Sequence, residues 1–430
     1  MTSSSSGSVE KIPWFGALRF GDFRRYWLGY VIVVSGQQML WVVQAWLIYE
    51  ITGSKLLLGA LGLTQVVPAT VLTLFGGVVA DKVDQRRLLI AIQLLQMAFL
   101  TVLAALALTQ VIQVWHILAT VFATSAVGAF ENPARQALFP HLIQRHAMTS
   151  AVALNSTVHP GTRVLGPAIA GVILAQVLGA TSSAMLAAGA VFSLTALGYG
   201  VYALFLRRVH LPPVRRSSGG NVLHDMREGL RFIWRQRIFS FLIGMTYFTQ
   251  MFAVSMSILF PVYAKDILEV GPSGLGLLYT GLGIGNLMGA VVAGSVGSRW
   301  HRGRLIVGGS AALGTFLVLF SLSGWFPLAL LFLALAGIGS SLFNVAVQST
   351  LQLLVPNEFR GRVMGIWGMT HTGIRPLGEM QFAAVATLFS APIALGLGGG
   401  IVLAFVLLVA VPNRRLRELG ASQVAAQMPG

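Results

Sequence analysis

The chain has 430 residues, of which 55% are hydrophobic and only 10% charged, against about 25% charged in soluble domains. With a mean hydropathy of +0.77 it carries more apolar surface than a water-soluble fold can bury, and disordered and collagen-like chains are excluded too. The absence of cysteine excludes a disulfide framework, a thiolate nucleophile and a cysteine-ligated metal, while the net charge of +16 must be judged by where the basic residues lie.

Twelve apolar stretches are long enough to cross about 30 Å of hydrocarbon at about 1.5 Å per helical residue. In chain order they are 26–49, 56–79, 88–108, 111–138, 151–178 and 183–206, then 238–263, 274–297, 305–323, 326–354, 363–389 and 392–411. The expected organisation is a cytoplasmic segment over 1–25, a six-helix bundle over 26–206, a linker over 207–237, a second six-helix bundle over 238–411 and a cytoplasmic tail over 412–430. A signal peptide is not expected, because the start is Ser-rich and polar and no small-residue cleavage site follows the first apolar run.

With the N-terminus in the cytoplasm, 25 of the 29 Lys and Arg fall in cytoplasmic segments, only Lys55 and Lys265 fall on the outer side, and Arg163 and Arg375 sit inside spans. That asymmetry obeys the positive-inside rule, so the basic charge reports topology and contact with anionic lipid, not binding to nucleic acid. In the linker, Leu223, Met226, Leu230 and Ile233 recur at helical spacing while Arg227, Arg231 and Arg235 mark another face. This predicts an amphipathic helix on the inner leaflet, the alternative being a plain basic linker.

The two halves repeat. An offset of 212 residues aligns Phe20 with Phe232, Gln38 with Gln250, Met39 with Met251, Asn132 with Asn344 and His159 with His371. It also superposes Gly161-Thr-Arg163-Val-Leu165-Gly166 on Gly373-Ile-Arg375-Pro-Leu377-Gly378. Two parallel six-span halves imply a pseudo-twofold axis along the membrane normal and a substrate cavity between them.

After the second span, Gly77-Val-Val-Ala-Asp81-Lys82-Val-Asp84-Gln-Arg86-Arg87 resembles the G-x-x-x-D-R-x-G-R-R loop of the major facilitator superfamily, with Asp84 in the place of the second glycine. Gly166-Pro167-Ala-Ile-Ala-Gly171 resembles that superfamily's antiporter-associated G-P-x-x-G-G, and Asn132-Pro133-Ala134-Arg135-Gln136-Ala137 is similar to the bacterial enterobactin and macrolide exporter branch. The resemblance covers Phe20 to Val411 and implies an all-α membrane protein with twelve transmembrane helices in two pseudo-twofold related bundles. The fourth span is read as lacking the buried arginine of many drug–proton antiporters, so their relay is not carried over.

Charges at mid-bilayer are costly unless paired or facing water, so those inside spans are functional candidates. Glu131 and Arg163 sit at similar depth on either side of a turn near His146, which predicts an ion pair between them; Arg135, one turn on, is the other possible partner of Glu131. Displacement of the arginine would favour protonation of Glu131 and couple transport to protons; the competing reading is a fixed structural pair. His371, Arg375 and Glu379 form an i, i+4, i+8 stripe of the eleventh helix that either binds an anion, titrates, or fastens the halves. The proton-coupling candidates are thus Glu131, Glu379, His159 and His371, with Arg163 and Arg375 as charge partners.

Asp81, Lys82, Arg86, Arg87, Arg360 and Arg362 are expected at a cytoplasmic gate, and Gln38, Trp41, Gln44, Gln250, Asn132 and Asn344 at the substrate cavity. Gly166, Pro167 and Gly171, and separately Gly281, Gly285 and Gly289, read as close helix-packing positions. No H-E-x-x-H, G-x-S-x-G or P-loop is present, and the eight histidines lack metal-ligand spacing, so neither an enzyme nor a metal or cofactor is expected. The expected function is export of a lipophilic or amphipathic small molecule, a drug or siderophore, by alternating access in exchange for protons. The partners are that substrate, protons and lipid, the protein a monomer of the bacterial inner membrane. The alternatives are a uniporter, a proton symporter of a small metabolite, or a lipid transporter of the same fold.

Overall fold

A computed structural model describes residues 15–209, 222–296, 302–413 and 416. Among them the regular structure is helical, with no strand. The first half comprises α1 (Gly21–Thr52), α2 (Lys55–Lys82), α3 (Gln85–Leu108), α4 (Val114–Gly128), α5 (Glu131–Leu138), α6 (Met148–Thr181) and α7 (Ala184–Arg207). The link carries α8 (Val222–Arg235). The second half comprises α9 (Arg237–Phe252), α10 (Phe260–Val262), α11 (Gly271–Val296), α12 (Arg302–Ser321), α13 (Phe326–Leu354), α14 (Asn357–Gly373), α15 (Arg375–Leu388) and α16 (Ala391–Phe405).

Among the described residues, eleven helical segments are long and apolar enough to cross a membrane. The twelfth expected span, 363–389, is not one helix: it divides at Ile374 into α14 and α15. The cause is local, since Pro376 has no N–H to donate to the preceding turn. Pro133 acts in the same way on the fourth span, where α4 stops at Gly128 and α5 restarts at Glu131. By contrast α6 runs unbroken through Pro160 and Pro167. Short turns close the hairpins: Gly53 caps α1 at φ +61, a left-handed conformation that glycine adopts without strain, and Asp84 and Ser183 cap α3 and α7.

Aromatic side chains fill the interior of each half, Phe23, Tyr26, Tyr30, Phe192 and Tyr202 in the first and Phe260, Tyr263, Phe320, Phe343 and Phe382 in the second. Leu197 and Leu204 of α7 and Val291 of α11 project outward, where acyl chains are the medium that covers them. The halves meet along two seams, α6 against α11 and α2 against α15. These seams obey the internal repeat. A Cβ on Gly166 would meet Gln38 and the Ser35 carbonyl of α1, while one on the equivalent Gly378 would meet Met251 and Ser255 in the seventh span. Gly171 abuts Gly276 across one seam, and its equivalent Ala383 abuts Gly59 across the other.

The linker helix differs from expectation in its surroundings. Gly229 of α8 lies against Arg362 and Ile366 of α14, Phe232 stacks on Phe359 at 4.5 Å, and Glu228 pairs with Arg362 at 2.7 Å. Trp234, 81% exposed, and Leu230 retain an outward apolar face, so α8 is docked on the second half and offers only part of its surface to lipid. The side chains of Leu223 and Met226 lie outside the described residues. Between α8 and α9 an apolar cavity of about 480 Å³ is lined by Leu230, Ile233, Trp234, Ile243, Tyr247 and Ile366, away from the intramembrane charges.

Candidate functional site: the intramembrane charges

The break in the fourth span places Glu131 in the first turn of α5, where free N–H groups and the helix dipole favour a carboxylate. Its partner is Arg135, with Nη1 at 3.8 Å from Oε1, and not Arg163 as depth alone suggested. With its side chain 13% exposed, Arg135 is a largely buried arginine within the fourth span, which was expected to lack one. Arg135 also donates to Asn132 Oδ1 and lies 4.0 Å over the ring of Tyr30. Tyr30 in turn shares a 2.9 Å hydrogen bond with His159 Nε2 on α6, and the buried Gln93 of α3 lies beside the Glu131 carboxylate. Four helices thus converge on one acid.

In the second half the pair is Arg375–Glu379, Nε donating to Oε1 at 2.7 Å. Glu379 is 1% exposed and its other oxygen lies so close to Gly62 of α2 that a Cβ there would come within 2.0 Å of it. The Arg375 guanidinium sits 4.7 Å over the ring of Trp41 on α1, and its carbonyl accepts from Ser255 Oγ at 3.0 Å. Both members of the pair therefore touch the opposite half. The predicted stripe is interrupted: His371 belongs to α14, across the break at Ile374, and its side chain lies outside the described residues.

Arg163 stands apart. It is the sixteenth residue of the 34-residue α6, at mid-length, yet it is exposed by accessible area. It is also close enough to Arg375 for the two like charges to interact, and its carbonyl abuts Gly283 of α11. A guanidinium accessible at that depth requires water or a counter-ion beside it, since lipid there would be prohibitive.

Of the expected cavity residues, Trp41 faces Arg375, Gln38 packs on Gly166, Gln44 and Gln250 are buried, Asn132 serves Arg135, and Asn344 Nδ2 donates back to the Ser340 carbonyl of its own helix at 2.9 Å. Of the expected gate, the side chains of Asp81 and Lys82 lie outside the described residues. Arg86 donates to the carbonyls of Leu206 and Arg207 at the end of α7, Arg87 is exposed, Arg360 reaches the Val355 carbonyl, and Arg362 is held by Glu228. The glycine row on α11 packs on α13: Gly285 abuts Ala334 and Gly289 abuts Ile338. No cluster that could hold a metal occurs among the described residues.

Two groups were not anticipated. Tyr30, one turn from Tyr26 on an apolar helix, links the Glu131 and His159 sites; the i, i+4 pair of tyrosines was the available signal. At the other unanticipated site, Lys265 Nζ pairs with Glu50 at 2.9 Å, Tyr49 donates to Asp266, and Lys55 donates to the Ala386 carbonyl at 3.1 Å. These bonds tie the halves together at the end carrying the α1–α2 turn.

The family described as transmembrane secretion effector matches residues 13–429. The chain is 22% identical over 373 residues to macrolide efflux protein A of Streptococcus pyogenes, covering 85% of this chain and 89% of that one. It is 28% identical over 399 residues to the multidrug efflux pump Tap of Mycolicibacterium fortuitum, covering 90% and 94%. Its fold is similar to that of a bacterial homologue of the human lysosomal transporter Spinster, solved inward-facing and unoccupied, with a TM-score of 0.71, 12% identity and coverage of 95% and 98%.

Proposed function

The chain belongs to the transmembrane secretion effector family of the major facilitator superfamily, an integral membrane transporter and not an enzyme, and on that premise we propose that it exports a lipophilic or amphipathic small molecule, a drug or siderophore, in exchange for protons. The observation that carries the coupling is the placement of the two intramembrane acids. Each is buried at a helix break beside an arginine four residues away, and the Arg375–Glu379 pair makes its contacts across the seam, with Gly62 and Trp41. A rocking motion that parts the seam removes those contacts and frees the Arg375 side chain from Trp41 to swing away from Glu379, and a carboxylate that loses its arginine takes up a proton.

The cycle follows from that arrangement. The ties among Glu50, Tyr49, Lys55, Lys265, Asp266 and Ala386 hold one end shut, and the positive-inside rule makes that end external. The protein is then open toward the cytoplasm, where both termini lie, as a monomer in a bacterial inner membrane. Opening outward breaks these ties and exposes Glu131 and Glu379 to external protons, with His159 and His371 beside them. Closing releases the protons inward. Asp81 and Lys82, with Arg86, Arg87, Arg360 and Arg362, form the opposite gate, and Asp81→Asn slows switching while leaving substrate binding intact.

The test is accumulation in liposomes carrying the purified protein, with a pH gradient imposed. Native protein moves substrate uphill, whereas Glu131→Gln and Glu379→Gln move it only down its own gradient. Uphill, pH-driven flux in both variants rejects the proton-carrier assignment, and downhill flux in the native protein rejects antiport.

A further inference from the structure

Of the thirteen acidic residues in the chain only Glu131 and Glu379 lie in the middle of a span. Asp22 and Glu50 lie near the two ends of α1, Asp266 and Glu269 at the end tied by Lys265, Asp81 and Asp84 around the α2–α3 turn, Glu358 at the start of α14, and Asp225 and Glu228 on α8. Glu10 and Glu418 fall outside the described residues. Against those two acids stand three mid-span arginines, and each acid is held by one of them: Glu131 by Arg135, Glu379 by Arg375. Among the described residues no carboxylate pairs with Arg163.

Arg163 is therefore one positive charge in excess, at mid-depth and accessible, with a second cation, Arg375, close enough to repel it. The neighbouring groups do not supply the missing charge. His159, one turn away, is a neutral or cationic ring engaged with Tyr30, Arg375 is a second cation stacked on Trp41, and the α11 face opposite presents Gly283. The internal repeat shows that the vacancy is built in: the residue equivalent to Glu379 in the first half is Pro167, which has no charge to offer.

We propose that Arg163 is the counter-ion of an anionic group, a carboxylate or its equivalent, on the transported molecule, bound in the cleft between the halves beside Trp41. This rests on the transport reading above and names the chemical class of its cargo. A planar guanidinium donates to both oxygens of a carboxylate, and the half-buried ring of Trp41 offers an apolar surface to the remainder. Cargo and Arg163 neutralise each other, so the loaded cleft can pass through the closed intermediate that the unpaired cation disfavours.

The test uses the full chain in lipid nanodiscs with 1-pyrenebutyrate and its primary amide as probes, binding being read from tryptophan fluorescence. The native protein binds the acid about tenfold or more tightly than the amide, the scale of one charge-assisted contact. Arg163→Gln loses that preference while keeping the affinity for the amide, which also reports that the variant is folded, and Arg163→Lys keeps part of it. Equal affinity for acid and amide in the native protein, or a preference that survives Arg163→Gln, overturns the proposal. Loss of the preference when gluconate is replaced by chloride makes a simple inorganic anion the occupant and overturns it as well. Preference for the acid without uphill flux in liposomes supports the counter-ion and removes the export reading; uphill flux of the amide equal to that of the acid does the reverse.

Discussion

Arg163 and Arg375 occupy the same register of the internal repeat, yet one is neutralised and the other is not. Arg375 has Glu379 at 2.7 Å and the Trp41 ring beneath it, and its acid is sealed against Gly62 of the opposite half. Arg163 has Pro167 where that acid would be, and is exposed. Two copies of one motif have thus taken different duties. The second half's arginine is paired at a seam, and the first half's is accessible and without a carboxylate among the described residues. Duplicated folds diverge most cheaply at single side chains, because helix register and packing remain those of the common ancestor; here Gly166 and Gly378 still pack in equivalent ways.

The largest expected effect comes from breaking the neutral member of the comparison. Glu379→Ala strands Arg375 without its acid and lowers stability by about 2 kcal/mol, a value reduced from that of a fully buried pair because Arg375 is partly accessible. Thermal unfolding in detergent measures it, and uphill flux is lost in the same variant. An Arg375→Met/Glu379→Leu double variant recovers most of the stability and none of the flux, which separates fastening from coupling.

Gly62→Ala comes next. Its methyl group would fall on the Glu379 carboxylate, so the seam must open or the acid must turn, at a cost of about 1–3 kcal/mol. Gly161→Ala, with open space around it, provides the contrast and leaves unfolding within about 0.5 kcal/mol of native. Equal losses in both variants would mean that the seam is not the sensitive element.

Pro167→Glu sharpens the comparison by giving Arg163 the partner that Arg375 has. The acid-over-amide preference then falls about tenfold, while Pro167→Gln, which also restores a backbone N–H, retains it. The smallest effect is that of Tyr30→Phe, which removes the 2.9 Å hydrogen bond to His159 and costs about 1 kcal/mol in thermal unfolding. If Tyr30→Phe instead abolishes pH-driven flux, the Tyr30–His159 link belongs to the proton route and the first half carries more of the coupling than the second.

Much of the candidate site was legible in part. Arg163, Arg375, Glu131 and Glu379 stand out because ionisable residues are rare in apolar runs, and Glu379 lies one helical turn from Arg375 whatever the surroundings. Which of two arginines, Arg163 or Arg135, pairs with Glu131 was not legible. Counting residues from a hairpin turn gives height along the membrane normal but says nothing of rotation about each helix axis, and it is rotation that turns Glu131 toward Gln93 of α3 and leaves Arg163 close to Arg375 of the second half. The Lys265–Glu50 and Tyr49–Asp266 ties were hidden for a related reason: their members are 215 and 217 residues apart, on helix ends that hydropathy reads merely as boundaries.

What the sequence determined by itself is whatever depends on neighbours along the chain: the apolar spans, the positions where Pro133 and Pro376 deprive a helix of an N–H, and the register of the repeat. Those properties follow from solvation and backbone chemistry, which act residue by residue. Tertiary structure decided which face of each helix meets which partner, and so which charge is spent inside the protein and which is left over. That choice comes from packing many side chains at once, which fixes the rotation of each helix and so which charges face one another across the helices.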